Sequence, residues 1–420
     1  MSLFDDLSWR GLIAHCTDPE ALKKDLDENQ ISFYVGFDPT APSLHMGNLL
    51  QLILVRRMQA AGHTPILLVG GSTGLIGDPR QSSERNLNPT ELVHAWGEKI
   101  RSQVSRFVSF DGVGGAIVVN NYDWTKDLTT LDFLRDIGKH FPINRMLDRE
   151  VVRTRLESGI SYTEFSYVLL QSMDFLELHR RHGVMLQTGG SDQWGNITAG
   201  VDLIRRATGD KVHALATPLV VKADGTKYGK TETGTIWLDS SMTSPYAFHQ
   251  FFLNAEDSMV GTYLRLFTER SHEEIEALER QTLAEPHLRA AQRALADDLT
   301  DLVHSVSERE ATTKAAKAIF GQGDLADLDE ATLMAVASEL SAPTWESLGE
   351  LTVLDACEQC GIFDSRGAVR RGVKEGGVYL NNERIVDAER SLTPSDLLGG
   401  SVLLIRRGKK TLGAITVAAS

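Results

Sequence analysis

Cysteine is nearly absent from this 420-residue chain. Its three copies, Cys16, Cys357 and Cys360, exclude a disulfide framework and fit a reducing compartment. Long apolar runs are missing too: none reaches the roughly 18 residues that a membrane-spanning helix needs. The N-terminal Met-Ser-Leu-Phe-Asp-Asp has no basic stretch ahead of an apolar core, so no secretory signal is expected and the cytoplasm is the expected location. Positive charge is outnumbered, with 43 Lys and Arg against 57 Asp and Glu and a formal net charge of −14. That balance excludes a general nucleic-acid coat protein. Internal repeats and low-complexity tracts are also lacking. What remains is an ordinary globular composition, 42% hydrophobic and 24% charged, long enough for two or three domains.

The charge is uneven. Between Asp364 and Lys410 ten Lys/Arg face six Asp/Glu, a local excess of +4 that leaves −18 for the rest. An acidic body with a basic tail suits a protein that meets a polyanion at one place. Cys357-Glu-Gln-Cys360 is a lone CxxC with no second pair or neighbouring His, so two partly buried helix cysteines are expected there rather than zinc.

From about residue 31 to 222, short β-rich runs alternate with helical stretches. Strands are expected at Ile31–Phe37, Pro65–Gly70, Ala116–Asn120, Val184–Thr188 and Ala216–Val221, and helices at Gly47–Ala61, Thr90–Phe107 and Gln193–Ala207. Such βα alternation predicts a doubly wound parallel sheet in an α/β domain, with ligands at the carboxyl ends of its strands. Residues 244–340 turn Ala-, Glu- and Leu-rich with helical spacing, which predicts a small α-helical domain. Ser341-Ala-Pro-Thr reads as a linker, and strand-like runs return at Gly377–Leu380 and Ser401–Ile405. The expected division is 1–222, a mobile loop over 223–243, helices over 244–340, a linker over 341–350, and a last α+β domain over 351–420.

Two short segments about 180 residues apart carry the chemistry. Asp38-Pro-Thr-Ala-Pro-Ser-Leu-His45-Met-Gly47-Asn48 leads from a strand into a helix, where unpaired N–H groups and the positive end of the helix dipole favour phosphate. His45 stands as a donor just before the helix, Gly47 permits close backbone approach, and Asn48 can reach a ribose hydroxyl. Lys227-Tyr-Gly-Lys230-Thr231 lies in a glycine-rich stretch whose lysines are compact charges suited to phosphate. A movable loop of this kind delivers charge in the transition state rather than in the ground state. Gly70-Gly-Ser-Thr-Gly-Leu-Ile-Gly77-Asp78 lacks the Lys-Ser/Thr of a Walker A loop. Between these segments, Ser161–Arg181 reads as one amphipathic helix on which Tyr167, Gln171 and Asp174 share a face at i, i+4 and i+7.

In this order the two segments resemble the HIGH and KMSKS signatures of class I aminoacyl-tRNA synthetases. Tyr34-Val-Gly-Phe-Asp-Pro-Thr, Asn120-Asn-Tyr-Asp-Trp124, Gly138-Lys-His-Phe141, Gly159–Tyr167 and Gly189-Gly-Ser-Asp-Gln-Trp-Gly-Asn196 extend the resemblance, nearly end to end, to the bacterial tyrosyl-tRNA synthetase family. That resemblance implies a Rossmann-like catalytic domain, a homodimer, and tyrosine, tRNA(Tyr) and magnesium-bound ATP as substrates. No tightly bound cofactor or protein metal site is expected. It implies that Tyr34 and Asp174 bond the substrate's phenol, that Asp78, Tyr167 and Gln171 hold its ammonium, and that Gln193 approaches its carboxylate. Asp192 and Asn48 would serve the ATP ribose, Gly47 would let ATP approach the backbone, Gly36 and Asp38 would lie near the α-phosphate, and Thr40, His45, Lys227, Lys230 and Thr231 would meet the departing pyrophosphate.

The chain departs from that family in places. Asn48 stands where many relatives carry a second histidine, and Val35 replaces a frequent cysteine. The loop Arg80–Arg85 is shorter than in some relatives and lacks a lysine they carry, leaving Arg85 as its candidate for pyrophosphate or the tRNA acceptor end. The basic tail resembles an S4-type RNA-binding domain, with Arg366, Arg370, Arg371 and Lys374 at helical spacing and Arg406, Arg407, Lys409 and Lys410 near the end. Two rival readings stay open here, the tryptophanyl relative and a non-catalytic RNA-binding protein. Tyr34 with Asp174 opposes the first, because an indole offers no hydroxyl. The intact phosphate-end residues oppose the second.

Overall fold

The computed structural model describes residues 1–79, 87–231, 234–349, 351–408 and 411–418, with the backbone alone described for Lys230, Thr231 and Ala326. The chain forms two compact units. One comprises Met1–Leu238 with Glu256–Pro286, the other Asp239–Ala255 with His287–Ser420.

The first unit is built on a six-stranded sheet of β1 (His15–Cys16), β2 (Ser32–Phe37), β3 (Thr64–Val69), β4 (Ile117–Asn120), β5 (Val184–Gly190) and β6 (His213–Thr217). Their order is β1-β6-β5-β2-β3-β4. β2 to β6 run parallel, while β1 pairs antiparallel along β6. The sheet is therefore mixed at one edge, and two residues without an alternating pattern gave no sequence signal for that edge. β3 is a run of apolar side chains, buried from its second residue onward, as a strand covered on both faces must be. The last parallel strand lies earlier than the expected Ala216–Val221. Pro218 has no N–H to give the ladder, so the chain leaves the sheet after Thr217.

Helices Met46–Ala60, Thr90–Ser105, Tyr162–His182 and Trp194–Ala207 follow the strands. Ser161 caps the third, its hydroxyl accepting from the Glu164 N–H, and Gly183 closes it in a left-handed conformation. Its apolar face joins Tyr34, Ile66 and Leu68 of the sheet in one core. Because β2 leads to β3 on one side and β5 lies on the other, a crevice opens where the order reverses, at the carboxyl ends of β2 and β5.

The helical stretch expected as one body over 244–340 is divided. Val260–Phe267 and His272–Ala284 belong to the first unit, whereas Pro245–Leu253 and the helices from Ala290 to Glu339 belong to the second. The second unit holds a five-stranded sheet of β9 (Thr344–Trp345), β10 (Val378–Leu380), β11 (Glu383–Arg384), β12 (Val402–Arg407) and β13 (Thr411–Val417), in the order β11-β10-β12-β13-β9. The segment expected as a linker thus carries β9, which pairs parallel with β13. Asn381 and Asn382, with φ of 49° and 68°, make the tight turn between β10 and β11. Helix residues Ala315, Ile319, Leu333 and Val336 pack on Val402, Leu404 and Ala414, so helices and sheet share a core. A two-stranded ribbon, β7 (Lys230–Thr231) with β8 (Gly234–Thr235), completes the strands. Among the described residues no helix is long and apolar enough to cross a membrane.

Candidate active site

A cavity of about 410 Å³ opens at the switch point. Its walls gather residues that stand far apart in the chain: Tyr34, Gly36, Asp38, Thr40, His45, Gly47, Asn48, Asp78, Tyr167, Gln171, Asp174, Asp192, Gln193 and Lys227. Lys230 and Thr231 contribute the backbone of β7. Arg85 and its loop, with Lys409 and Lys410, lie outside the described residues.

One hydrogen-bonded chain runs along the deep wall. Asp174, 1% exposed, accepts from Asn121 Nδ2 on one oxygen and from Trp124 Nε1 on the other, both at 2.9 Å. Asn121 also donates to Thr73 Oγ1 at 2.9 Å and accepts from the Ser72 N–H at 2.7 Å. Thr73 in turn donates to Asp38 Oδ1, and the Tyr167 hydroxyl to Asp38 Oδ2, each at 2.6 Å. Asp38, which the resemblance puts near the α-phosphate, is thereby tied to the Tyr167 side of the cavity. Burial penalises the charged form of Asp174 and lifts its carboxyl to about 7 against the two hydrogen bonds. Burial and the neighbouring Asp174 push the Tyr34 phenol well above its ordinary value.

The Gly70-Gly71 turn earns its glycines here. A Cβ at Gly70 would stand 2.0 Å from Asp38 Oδ1, and one at Gly71 would stand 2.3 Å from Asn120 Oδ1. The turn therefore leaves room for the Asp38 and Asn120 side chains.

Some polar atoms of the cavity have no hydrogen-bond partner among the described residues. The Tyr34 hydroxyl and the Oε1 atoms of Gln171, Gln187 and Gln51 are all buried in this state, and all four residues line the cavity. Buried polar groups are seldom left so. A ligand carrying several polar groups at fixed spacing would satisfy them.

A second network gathers around Asp78. Asp78 accepts from Gln193 Nε2 at 2.8 Å and from Asn196 Nδ2 at 3.1 Å. Asn196 also donates to Gln193 Oε1 at 2.9 Å and accepts from Arg149. Burial lowers the Arg149 guanidinium and Asp78 partly offsets that shift. Arg149, Gln51 and Gln187 were not singled out by the sequence. Thr73, Asn121, Trp124 and Asn196 stood in quoted motifs without a role. A single chain of residues carries no periodicity that would mark such supports; only their partners do.

In the first signature segment His45 is the N-cap of Met46–Ala60. Its Nδ1 accepts from the Gly47 N–H at 3.0 Å, and Asn48 Oδ1 accepts from the His45 N–H at 3.1 Å, a reciprocal capping box. With Nδ1 as acceptor, the ring proton resides on Nε2, which makes that nitrogen a donor. A Cβ on Gly47 would stand 2.9 Å from His45 Cε1, so glycine leaves room for the imidazole.

The lysine segment is joined to this cap by backbone. Ile236 N–H donates to Gly229 C=O at 3.0 Å, Met46 N–H to Ile236 C=O at 3.1 Å, and Leu238 N–H to Leu44 C=O at 2.9 Å. Residues 220–228 form a short hairpin in which Val221 faces Lys227 and Lys227 is exposed.

In the second unit the expected basic helix spans Arg366–Lys374, but its cations differ. Arg366 pairs with Asp355 and Glu358, and Arg370 pairs with Glu389 at 2.8 Å. Arg406 lies over the Tyr379 ring and Arg407 over Phe363. Arg371 and Lys374 are exposed. Cys357 is buried and Cys360 half-buried, both as free thiols.

A doubly wound sheet, a capped histidine at its switch point and a lysine segment strapped beside it define a class I aminoacyl-tRNA synthetase. The family model for class I tRNA synthetases handling Trp and Tyr matches residues 26–321. The chain belongs, within that class, to the tyrosine–tRNA ligase family. The C-terminal domain model of those ligases matches residues 338–414. The chain is 60% identical over 414 residues to the tyrosine–tRNA ligase of Cutibacterium acnes, covering 99% of both chains. It is 55% identical over 418 residues to that of Streptomyces avermitilis, again covering 99% of each. Among solved structures, a C-terminally truncated mitochondrial tyrosyl-tRNA synthetase of Coccidioides posadasii aligns with a TM-score of 0.67 at 30% identity, covering 75% of this chain and 91% of that one.

Proposed function

We propose that this enzyme activates L-tyrosine with magnesium-bound ATP, releasing pyrophosphate, and transfers the tyrosyl group from the adenylate to the terminal adenosine of tRNA(Tyr). The observation that carries the choice of amino acid is the Tyr34 hydroxyl, which is buried beside Asp174 with no hydrogen-bond partner among the described residues. A phenol entering there would pair with both, while phenylalanine would leave the Tyr34 hydroxyl without a partner and give Asp174 no donor beyond Asn121 and Trp124. Rejection of phenylalanine by tyrosyl enzymes is itself a standard example of selection by a buried polar site.

In this reading Asp78, Tyr167 and Gln171 hold the substrate ammonium, and Gln193 meets its carboxylate region. Asp192 and Asn48 serve the ribose, and His45 Nε2–H, Thr40, Lys227, Lys230 and Thr231 meet the triphosphate. The carboxylate attacks the α-phosphorus and pyrophosphate departs. The 2′- or 3′-hydroxyl of the tRNA then attacks the mixed anhydride. Positioning and charge stabilisation supply the catalysis, with no covalent enzyme intermediate.

The second unit, with Arg371 and Lys374 on an exposed helix face, would grip the tRNA as the S4-type resemblance implies. A homodimer through the first unit is supported by large apolar side chains left exposed between residues 131 and 162, among them Leu131, Ile143 and Tyr162. A cytoplasmic enzyme fits this chemistry.

The test is amino-acid-dependent ATP–pyrophosphate exchange without tRNA. Rapid exchange with tyrosine, and none with tryptophan or phenylalanine, is expected. Exchange driven by tryptophan would overturn the pocket assignment, and none with any amino acid in folded protein would favour a role in RNA binding alone.

A further inference from the structure

The lysine hairpin is gripped from behind by a helix that no motif marks. Tyr263 of Val260–Phe267 is 1% exposed. Its ring stacks on that of Tyr228, with centroids 4.0 Å apart and planes inclined by 24°. Its hydroxyl donates to the Val221 carbonyl at 2.8 Å. The Tyr228 N–H donates to Val220 C=O at 2.9 Å, and Val221 lies across from Lys227. One side chain therefore holds both arms of the hairpin. Clamping Tyr228 anchors the backbone from which its neighbour Lys227 projects.

The helix that carries Tyr263 is itself secured. Arg10, 4% exposed, donates to the carbonyls of Arg265 at 3.4 Å, Thr268 at 3.3 Å and Arg270 at 2.8 Å. These carbonyls lie at and just beyond the helix's last turn, where the chain lacks intrahelical partners. The hairpin is short and largely exposed, so without such a clamp the lysine stem would sample many positions.

We propose that Tyr263 is a positioning residue for adenylate formation. Through Tyr228 and the Val221 carbonyl it sets where the Lys227 ammonium stands when pyrophosphate departs, without touching substrate. The inference rests on the reading above that Lys227 meets the pyrophosphate.

The experiment is a double-mutant cycle on the full-length enzyme, with Tyr263→Ala, Lys227→Ala and the double variant. It reads tyrosine-dependent pyrophosphate exchange, equilibrium tyrosine binding and folding by circular dichroism. Tyr263→Ala should lower the exchange rate on the order of 100-fold, the cost of a misplacement of about 1 Å, with tyrosine affinity unchanged. Tyr263→Phe keeps the stack, loses one hydrogen bond and should stay within about 10-fold of wild type. The double variant should be no slower than Lys227→Ala alone, because both changes remove the same contribution.

Additive losses, or weakened tyrosine binding in Tyr263→Ala, would overturn the positioning role while leaving the lysine-loop reading intact. A wild-type rate in Lys227→Ala would overturn that reading first and this inference with it. If Tyr263→Ala does not fold, Tyr263→Leu, which fills most of the buried space, takes its place in the cycle.

Discussion

Tyr34 and Asp174 pull in opposite directions on stability and on selectivity. Among the described residues the Tyr34 hydroxyl is buried without a hydrogen-bond partner. Tyr34→Phe should therefore raise the unfolding free energy slightly, by up to about 1 kcal/mol, while costing roughly the same in preference for tyrosine over phenylalanine. Urea denaturation and competitive exchange assays check the two halves. Asp174 has a folded value of about 7 against 3.8 for an exposed carboxyl, so the folded chain holds that proton more tightly. Its stabilising contribution is complete below about pH 4 and is lost as pH rises through about 7. Asp174→Asn should remove that downward slope in urea midpoints measured across this range, and an unchanged slope would show that the charge is tolerated where it lies. His45 teaches a related point. From sequence it stands as a donor just ahead of a helix, and the structure makes it the N-cap whose hydrogen bond fixes the tautomer with a donating Nε2.

At the scale of elements, the two signature segments work as one body because β6 ends early. Pro218 releases the chain from the sheet, the hairpin of residues 220–228 follows, and the backbone bonds of Gly229, Ile236 and Met46 tie it to the histidine cap. Gly229 is the tightest point of that seam. Its φ is +92°, and a Cβ there would stand 2.5 Å from Met46 Cβ. Gly229→Ala should introduce about 1–3 kcal/mol of strain and slow tyrosine-dependent exchange by at least about 10-fold, with tyrosine binding unaltered in equilibrium dialysis. Equal exchange rates would mean that the loop works detached from the cap. The alternation of strands and helices was legible because each element carries its own period. The edge strand β1 and the short β9 were not, since two residues hold no period and exist only through their neighbours.

At the scale of the whole molecule, an acidic chain carries a local positive excess in its tail, but not every cation there is available. Arg366 and Arg370 are engaged by acids of their own unit, which reduces their pull on phosphate, whereas Arg371 and Lys374 stand on the exposed face of their helix. Arg371→Glu with Lys374→Glu should raise the KM for tRNA on the order of 10-fold and make it less dependent on salt, because phosphate contacts release counterions and the variant has fewer of them. Tyrosine-dependent exchange, which involves no tRNA, should be unchanged. Loss of both activities together would instead mark a folding defect.

By itself the sequence determined the class of fold, the two signature segments and the helix face of Tyr167, Gln171 and Asp174. These are local matters, set by hydrophobic period, by turn glycines and by spacing within one helix. Only the tertiary structure decided what supports them. Asn121, Trp124 and Thr73 reach Asp174 and Asp38, and Asn196 and Arg149 reach the Asp78 wall. Tyr263 meets Tyr228 from 35 residues downstream. A hydrogen bond or a ring stack between distant segments leaves no trace in local composition, because either partner alone is an ordinary residue until packing brings the other within reach.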